Sequence, residues 1–364
     1  MKDQSQISIF DTAENIKNTV IFGDALLGLA FLKDESVDTC ITSPPYFNLR
    51  DYGKDGQIGV ETTPEEYIEN LVGVFREVRR VLKPDGTLWV NIADSYAGSG
   101  KGKMADGTHR KGESMSHKYR GVTDGNLKKT TASSCKPKDL IGIPWMLAFA
   151  LRSDGWYLRQ DIIWQKPNAM PESVKDRCTK SHEYIFLLSK NPHYYFDGEA
   201  ISEPVADSSL ERYSQDIEHQ KGSERVPGKT NGAMKAVLPR YGGKKYTEDP
   251  SVFYQTKSGR AYEFHPKRNK RDVWSVSTKP FKGSHFATFP DTLITPCVLA
   301  GSRVGGVVLD PFCGSGTTLM VANRHGRSGI GIELNDGYEQ LIKDRVGEYT
   351  RIPAGSEDGE GTGG

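Results

Sequence analysis

The amino-acid sequence predicts an α/β protein built on a doubly wound, mostly parallel sheet. Strand-like and helix-like patterns alternate at both ends of the chain, which is typical of a parallel sheet covered by helices. A β-branched stretch over 306–310 runs into Gly314-Ser315-Gly316 and then into a helical pattern. Near the front, Thr63 and Pro64 suit a helix N-cap and first position, and Glu66 follows three residues after the cap.

The order of the elements follows from the spacing of apolar residues and from the positions of glycine and proline. In the first half, strands are predicted over 20–24, 37–42, 87–92 and 156–164, helices over 25–32, 64–82 and 144–152, and a turn over 83–86. A pair of strands is predicted over 183–189 and 194–196. In the last part, helices are predicted over 289–300, 317–325 and 338–349, and strands over 306–310 and 328–333.

Composition places the chain among globular proteins with a sizeable core, since it has 364 residues and 36% hydrophobic residues. No run of about 18 apolar residues occurs and the first residues are polar, so neither a membrane span nor a signal peptide is expected. The five cysteines are scattered and form no CxxC pair. The sequence therefore predicts a reduced, cytoplasmic protein that holds no metal.

Charge is unevenly distributed along a chain whose formal net charge is only +1. Residues 221–271 contain 13 lysines and arginines against four acidic residues, and residues 98–139 contain ten against four. Localised basic surface on a nearly neutral protein indicates binding to a polyanion. The stretch over 98–138 is rich in Gly, Ser and Lys and has no apolar periodicity, so it is predicted to be a mobile loop that becomes ordered on a nucleic-acid backbone.

The glycine turn near the end of the chain predicts a nucleoside cofactor. Glycines allow a tight turn and a close approach of a ligand, and a helix start presents N–H groups to an anion. Glu333 ends the following strand, where its carboxylate can accept both hydroxyls of a ribose. Neither a full GxGxxG nor the lysine of a P-loop is present, which favours S-adenosyl-L-methionine over a dinucleotide or nucleoside triphosphate. The alternative is a turn that binds no ligand.

The second informative segment, Ser43-Pro44-Pro45-Tyr46, suits transfer of a methyl group to an exocyclic amine. Such an amine is a poor nucleophile, because its lone pair is delocalised into the base. Acceptors for its two N–H bonds, here the Ser43 hydroxyl and the Pro44 carbonyl, bend it toward tetrahedral geometry. The paired prolines fix the backbone that holds these acceptors. Tyr46 is predicted to stack on a base rotated out of the duplex.

Together these segments resemble the N4-cytosine and N6-adenine DNA methyltransferases of restriction–modification systems and phages. The resemblance extends over most of the chain. The Ser-Pro-Pro-Tyr segment precedes the basic stretch and the glycine turn comes last, an order similar to that of the β class, a circular permutation of the usual Rossmann-like methyltransferase sheet. It implies one antiparallel strand at the sheet edge. Together with a weak, polar and basic pattern after residue 197 and a glycine-rich, acidic end, it implies a catalytic half over 1–196, a target-recognition insert over 197–262, a cofactor-binding half over 263–352 and a disordered tail over 353–364.

The resemblance, the charge distribution and the positions along the chain imply roles for individual residues. Catalysis is assigned to Ser43, Pro44, Pro45 and Tyr46. Cofactor binding is assigned to Phe22, Asp24, Thr42, His285, Phe286, Asp310, Pro311, Phe312, Gly314, Ser315, Gly316, Thr317, Thr318, Glu333 and Leu334. DNA binding is assigned to Asn48, Arg50, Lys101, Lys103, Arg240, Lys244, Lys245, Arg260 and Arg268.

Several alternatives remain open from the sequence. Serine at the first position of the catalytic segment is more typical of cytosine-N4 enzymes, which favours cytosine, with adenine N6 as the alternative. Methylation of RNA or protein and a non-catalytic DNA-binding regulator are the competing functions. Double-stranded DNA is the expected partner, and the resemblance also suggests a cognate restriction endonuclease and a homodimer. Cys297 lies in an apolar helical run and is predicted to be a buried core residue rather than a nucleophile.

Overall fold

The computed structural model describes residues 18–49, 53–54, 56–97, 135–206, 253–255, 261–263, 267–278 and 289–354. Contacts divide the chain into two units. The first unit comprises residues 1–200 and 271–364, and it contains the large sheet and the helices described below. The second unit spans residues 201–270. It overlaps the segment predicted as a target-recognition insert, and that role remains a prediction.

Among the described residues of the first unit, nine strands form one sheet. The strands are β1 (Thr19–Phe22), β2 (Val37–Thr42), β3 (Leu82–Ile92), β4 (Tyr157–Gln165), β5 (His182–Ser189), β10 (Val273–Ser275), β11 (Val307–Asp310), β12 (Ser328–Glu333) and β13 (Thr350–Pro353). Their order across the sheet is β10-β4-β5-β3-β2-β11-β12-β1-β13. Strands from the two ends of the chain therefore lie side by side at the centre, where β2 pairs with β11.

The sheet is parallel except for β5, which runs antiparallel to both β3 and β4. The prediction of one antiparallel strand at the sheet edge was wrong in its position, because β4 and β10 lie outside β5. The reversed direction of β5 has a consequence for the site. The first residues of β5 lie at the same edge as the last residues of β3, as the pairing of Tyr184 with Ile92 shows.

Helices cover both faces of the sheet, as the predicted doubly wound fold requires. They are α1 (Ala25–Ala30), α2 (Pro64–Val81), α3 (Ile143–Ser153), α4 (Asp291–Gly301), α5 (Thr317–Arg324) and α6 (Glu339–Val346). Successive residues of β1 face the two layers: Ile21 belongs to the same buried cluster as residues of α1, α2 and α3, whereas Val20 and Phe22 belong to a cluster with residues of α5 and α6. In the part of the chain that the structure describes, no helix is long and apolar enough to cross a bilayer.

Two local predictions were wrong. The segment Lys83–Gly86, predicted as a turn, belongs to β3, where a shift of register lets the extra residues bulge beside β2. The segment 194–196 forms no strand, because Tyr195 makes a single backbone hydrogen bond to Asp85 in place of a ladder. Strand β13 was not predicted, since its sequence Thr-Arg-Ile-Pro has one buried residue, Ile352.

The second unit contains short strand pairs that the sequence did not predict. Strand β6 (Glu203–Pro204) pairs with β9 (Lys267–Arg268), and β7 (Phe253–Gln255) pairs with β8 (Ala261–Glu263). In the first pair, Glu203 lies 3.7 Å from Arg268 and 3.3 Å from Lys270. These ion pairs connect the two ends of the unit.

The start of α2 provides a test of the predicted cap. The Thr63 hydroxyl accepts a hydrogen bond from the Glu66 N–H at 3.2 Å. We expect Thr63→Ala to lower the free energy of unfolding by about 1 kcal/mol, because that N–H loses its acceptor. Thr63→Ser keeps the oxygen and serves as the control in urea unfolding. Equal losses in the two variants would show that the cap contributes nothing.

Candidate functional site

The two segments singled out in the sequence meet at the carboxyl edge of the sheet. Strands β2 and β11 are parallel neighbours, so Thr42 at the end of β2 lies beside Asp310 at the end of β11. The Thr42 hydroxyl donates to Asp310 Oδ1 at 2.6 Å across 268 residues of sequence. One pocket is lined by both segments, including Ser43, Pro44 and Tyr46 from the first and Phe312 and Gly314 from the second. The pocket therefore combines the predicted catalytic and cofactor groups.

Asp310 is the most deeply buried carboxylate of this pocket, with 1% of its surface exposed. Besides Thr42, it accepts a hydrogen bond from the Thr318 hydroxyl at 2.6 Å and one from the Phe312 N–H at 3.1 Å. Burial raises the pKa of Asp310 to about 6, and the three donors oppose this rise. We call the side chains of Thr42, Asp310 and Thr318 the Thr42–Asp310–Thr318 cluster. It connects the end of β2, which precedes the catalytic segment, with β11 and the start of α5.

The glycine turn is followed by α5, whose first residue lines the pocket together with Ser315. Gly316, which precedes the helix, has φ +75°, and a Cβ there would meet Val346 Cγ2 at 2.8 Å. Glycine is thus required for both conformation and space. The Ser315 hydroxyl accepts a hydrogen bond from the Arg345 guanidinium, which connects the turn to α6.

Glu333 ends β12 beside this turn, as predicted. Its two carboxylate oxygens accept hydrogen bonds from the N–H groups of Gly314 and Asn335, each at 2.8 Å. Burial raises the pKa of Glu333 to about 7, while these two donors lower it. The carboxylate lies in the wall of the pocket with 8% of the residue surface exposed.

The catalytic segment is held by hydrogen bonds from two directions. The Tyr67 hydroxyl, on α2, donates to the Pro45 carbonyl at 2.7 Å. The Tyr46 hydroxyl donates to Glu183 Oε2 at 2.7 Å and in turn accepts from the Ser43 hydroxyl at 3.4 Å. Burial, followed by the charge of Glu183, raises the pKa of Tyr46 well above its ordinary value, so the phenol stays protonated.

The pocket has the groups that a sulfonium nucleoside with one carboxylate requires. Glu333 supplies hydrogen-bond acceptors, and the start of α5 supplies a helix N-terminus. Apolar walls suited to an adenine ring come from Pro311, Phe312 and Leu334. S-adenosyl-L-methionine therefore fits the chemistry of the donor set.

Comparison with known proteins decides the family. The N6_N4_Mtase family model, described as DNA methylase, matches residues 37–344. The Type II methyltransferase M.SmaI of Serratia marcescens is 44% identical over an alignment of 351 residues that covers 95% of this chain and 98% of that protein. The chain belongs to the N6/N4 DNA methylase family. It is a site-specific DNA methyltransferase that transfers a methyl group from S-adenosyl-L-methionine to an exocyclic amine, as the sequence predicted.

Two solved structures share the fold of this methylase. PvuII DNA methyltransferase (cytosine-N4-specific) superimposes with a TM-score of 0.52 at 16% identity and covers 92% of this chain and 95% of its own. A putative DNA modification methylase of Thermus thermophilus, TTHA0409, solved in complex with S-adenosyl-L-methionine, gives 0.50 at 22% identity, with 92% and 99% covered. The predicted methyltransferase sheet is thereby confirmed.

Not every predicted site residue of the methylase is described. His285, Phe286, Arg50, Lys101, Lys103, Arg240, Lys244, Lys245 and Arg260 lie outside the described residues, as do most of the basic loop and of the C-terminal tail. Of the predicted DNA-binding residues, Asn48 and Arg268 are described. Asn48 follows the catalytic segment with φ +53°, and its N–H donates to the Gly59 carbonyl at 2.8 Å.

The predicted cofactor residues have different surroundings. Asp24 lines the pocket and also caps α1, because its Oδ1 accepts from the N–H groups of Leu26 and Leu27 at 2.8 and 3.1 Å. Phe22 is buried, with the Arg351 guanidinium 4.8 Å from its ring centroid. Cys297 is buried within α4, as predicted.

Sequence reasoning assigned no individual role to two groups of side chains, although the resemblance places the segments 163–168 and 181–184 beside the target base. Lys54 and Asp336 form an ion pair of 2.9 Å at the pocket, and Lys54 itself lines the pocket. Glu183, Asn91 and Lys166 form a polar network next to Tyr46. The signal for this network was a buried carboxylate and a buried amide in otherwise apolar strands, since such polar groups require partners.

The Thr42–Asp310–Thr318 cluster provides a test of stability. Thr42→Val keeps the side-chain volume but removes a donor from a buried carboxylate, so it should lower the free energy of unfolding by about 1.5–3 kcal/mol at pH 8. The pKa of Asp310 is about 6 in the folded protein. Below that value the group is mostly protonated and depends less on the lost donor, so the loss should be smaller at pH 5.

Urea unfolding of wild type, Thr42→Val and the control Thr42→Ser at the two pH values measures this. The serine variant keeps the hydroxyl and should remain close to wild type. A loss in Thr42→Val that is the same at pH 5 and pH 8 would contradict the assigned role of the ionised carboxylate.

Proposed function

We propose that the chain methylates N4 of cytosine in duplex DNA. The observation that supports this is the serine at the first position of the catalytic segment. The Ser43 hydroxyl donates its hydrogen to Tyr46 Oη, so its oxygen lone pairs remain to accept one amine N–H. Adenine N6 is the alternative, because the same chemistry applies to it. The methylated nucleoside that the reaction yields distinguishes the two bases.

The proposed mechanism depends on fixed acceptors for the amine. The Ser43 hydroxyl and the Pro44 carbonyl accept the two N–H bonds, which directs the nitrogen lone pair away from the base plane. The Tyr67 hydroxyl holds the neighbouring Pro45 carbonyl and so fixes the backbone of the segment. Tyr46 stacks on the base after it has rotated out of the duplex.

Cofactor binding is proposed for the side of the pocket that the glycine turn and Glu333 form. S-adenosyl-L-methionine, when bound, supplies the methyl group as a sulfonium. Glu333 accepts the ribose hydroxyls, and the glycine turn with the start of α5 receives the carboxylate. Asp310 acts through the Thr42–Asp310–Thr318 cluster, which keeps the two halves of the pocket together.

Further properties follow the same proposal. The basic stretch over 221–271 contacts the DNA, and Arg268 is the member of the predicted DNA-binding set described in that unit. The five cysteines, all of them among the described residues, form no disulfide, which supports the cytoplasm as the location. A cognate restriction endonuclease and a homodimer are proposed as partners from the resemblance alone.

A non-catalytic regulator is disfavoured, because the catalytic segment and the glycine turn are both intact and share one pocket.

The base is tested by identifying the product. The protein is incubated with radiolabelled cofactor and unmethylated DNA, and the digested nucleosides are separated by chromatography. We expect label in N4-methylcytosine. Label in N6-methyladenine would establish the alternative, and an unlabelled digest would favour the regulator.

The role of Ser43 is tested in the same assay. Ser43→Ala should lower the rate by roughly 10²–10³-fold, the usual cost of one preorganised hydrogen-bond partner in a transition state. Cofactor affinity, measured by calorimetry, should be unchanged. Ser43→Thr, which keeps the hydroxyl, is the matched control. Undiminished labelling by the alanine variant would refute the role of Ser43.

The role of Glu333 is tested by the pH dependence of cofactor binding. A ribose hydroxyl donates to the ionised carboxylate, and the pKa of Glu333 is about 7 in the free protein. Affinity should therefore be highest above pH 7 and weaken as the pH falls below that value. Glu333→Gln should bind more weakly at high pH and show a shallower pH dependence. A wild-type affinity that is flat between pH 5.5 and 8.5 would contradict this role.

A further inference from the structure

The catalytic segment is connected to a carboxylate by consecutive hydrogen bonds. Ser43 Oγ donates to Tyr46 Oη at 3.4 Å, and Tyr46 Oη donates to Glu183 Oε2 at 2.7 Å. The chain begins at the group proposed to accept the amine and ends at an ionisable acceptor. Every donor in it points away from the amine. That is the direction in which a proton leaving the amine would have to travel.

Glu183 is prepared to receive a proton through Tyr46. It is buried, with 8% of its surface exposed, and Asn91 Nδ2 donates to the same oxygen, Oε2, at 3.1 Å. The Lys166 ammonium donates to the other oxygen, Oε1. The carboxylate is thus oriented by three donors, and its position follows from the topology: because β5 is reversed, its first residues lie at the carboxyl edge of the sheet.

Tyr46 has the property that a relay requires of its middle member. A group that both accepts and donates a proton must keep its own hydrogen until the transfer. Burial, followed by the charge of Glu183, raises the pKa of the Tyr46 phenol well above its ordinary value, so it remains a hydroxyl. The same hydroxyl bridges Ser43 and Glu183.

We propose that Ser43, Tyr46 and Glu183 form a relay that carries the amine proton away from the base, with Glu183 as its terminal acceptor. This inference rests on the proposed function, in which Ser43 accepts an amine N–H. Tyr46 then has two roles: its ring stacks on the base, and its hydroxyl conducts the proton. Lys166 and Asn91 act as positioning residues that hold the acceptor.

The step balances in atoms and charge. Methyl transfer forms the N–C bond and breaks the S–C bond, whose electron pair stays on sulfur, so the nitrogen carries the positive charge and one proton in excess. That proton passes to Ser43 Oγ, the Ser43 hydroxyl proton passes to Tyr46 Oη, and the Tyr46 proton passes to Glu183 Oε2. The products are a neutral methylated amine, a neutral serine and tyrosine, and a protonated Glu183, which loses the proton to water before the next turnover.

The first test compares Glu183→Gln with wild type in single-turnover methylation of DNA. Glutamine can still accept a hydrogen bond from Tyr46, but it takes no proton at neutral pH. We expect the rate to fall by roughly 10²-fold, within the usual range for proton transfer by a positioned side chain. The affinities for cofactor and for DNA should stay at the wild-type values. A wild-type rate in Glu183→Gln would overturn the relay.

A second variant distinguishes the loss of proton acceptance from structural damage to the site. Glu183→Gln leaves the Lys166 ammonium without its carboxylate, which could itself disturb the site. Adding Lys166→Met removes that charge. If the double variant regains the wild-type rate, the relay is wrong and Glu183 only neutralises Lys166. If it stays as slow as Glu183→Gln, the missing function is proton acceptance.

A third variant tests whether the residues act in series. Tyr46→Phe keeps the ring and removes the hydroxyl, so it breaks the relay at its middle. Because one broken link suffices, Tyr46→Phe combined with Glu183→Gln should be no slower than the slower single variant. Multiplied losses in the double variant would show independent roles and overturn the proposal.

The hydrogen bond between Tyr46 and Glu183 can also be observed without substrate. In protein labelled with ¹³Cζ-tyrosine, the Tyr46 resonance is the one missing from Tyr46→Phe, and it should move in Glu183→Gln. An unmoved resonance would show that the two groups do not interact. The proposed function is judged separately, since a wild-type protein that labels adenine rather than cytosine refutes the cytosine proposal, whereas failure of the variants alone refutes only the relay.

Discussion

The site depends on the hydrogen bonds that Asp310 accepts at the centre of the sheet. The paired prolines and the glycine turn lie far apart in sequence, and each is a loop with little structure of its own. They share a pocket because β2 and β11 are neighbours and because the Thr42–Asp310–Thr318 cluster connects their ends. Replacing a hydroxyl of this cluster by an apolar group would leave a buried acceptor short of a donor, which is costlier than the loss of an exposed hydrogen bond.

Burial of carboxylates in the pocket is unfavourable for stability when considered alone. Burial raises the pKa values of both Asp310 and Glu333, which means that the folded protein holds their charges less readily than water does. For each group the stability cost grows as the pH rises from the unfolded-state pKa toward the folded-state value. A pocket that must offer acceptors to hydroxyls and amines requires such groups, so the cost is consistent with function rather than with optimal stability.

The sequence predicted those parts of the molecule that local patterns determine. Helix α2 starts at its predicted cap, and β2, β11 and β12 match buried, β-branched runs. Local patterns do not determine the order of strands in a sheet, because strands pair over long distances in sequence. The meeting of the two motifs was therefore expected from the resemblance alone. The two wrong local predictions have the same origin: the bulge at Lys83–Gly86 and the missing strand over 194–196 are decided by neighbouring strands rather than by local sequence.

The polar network around Glu183 shows why a motif alone underdetermines a site. Residues 43–46 specify an acceptor and an aromatic ring, but the carboxylate that accepts a hydrogen bond from the Tyr46 hydroxyl comes from a strand 137 residues later. Had β5 been parallel to β3, Glu183 would lie at the opposite edge of the sheet, too far from Tyr46 to interact. Reversal of one strand therefore places an ionisable group beside the catalytic segment, and chain topology, as much as residue type, sets what this site can do with a proton.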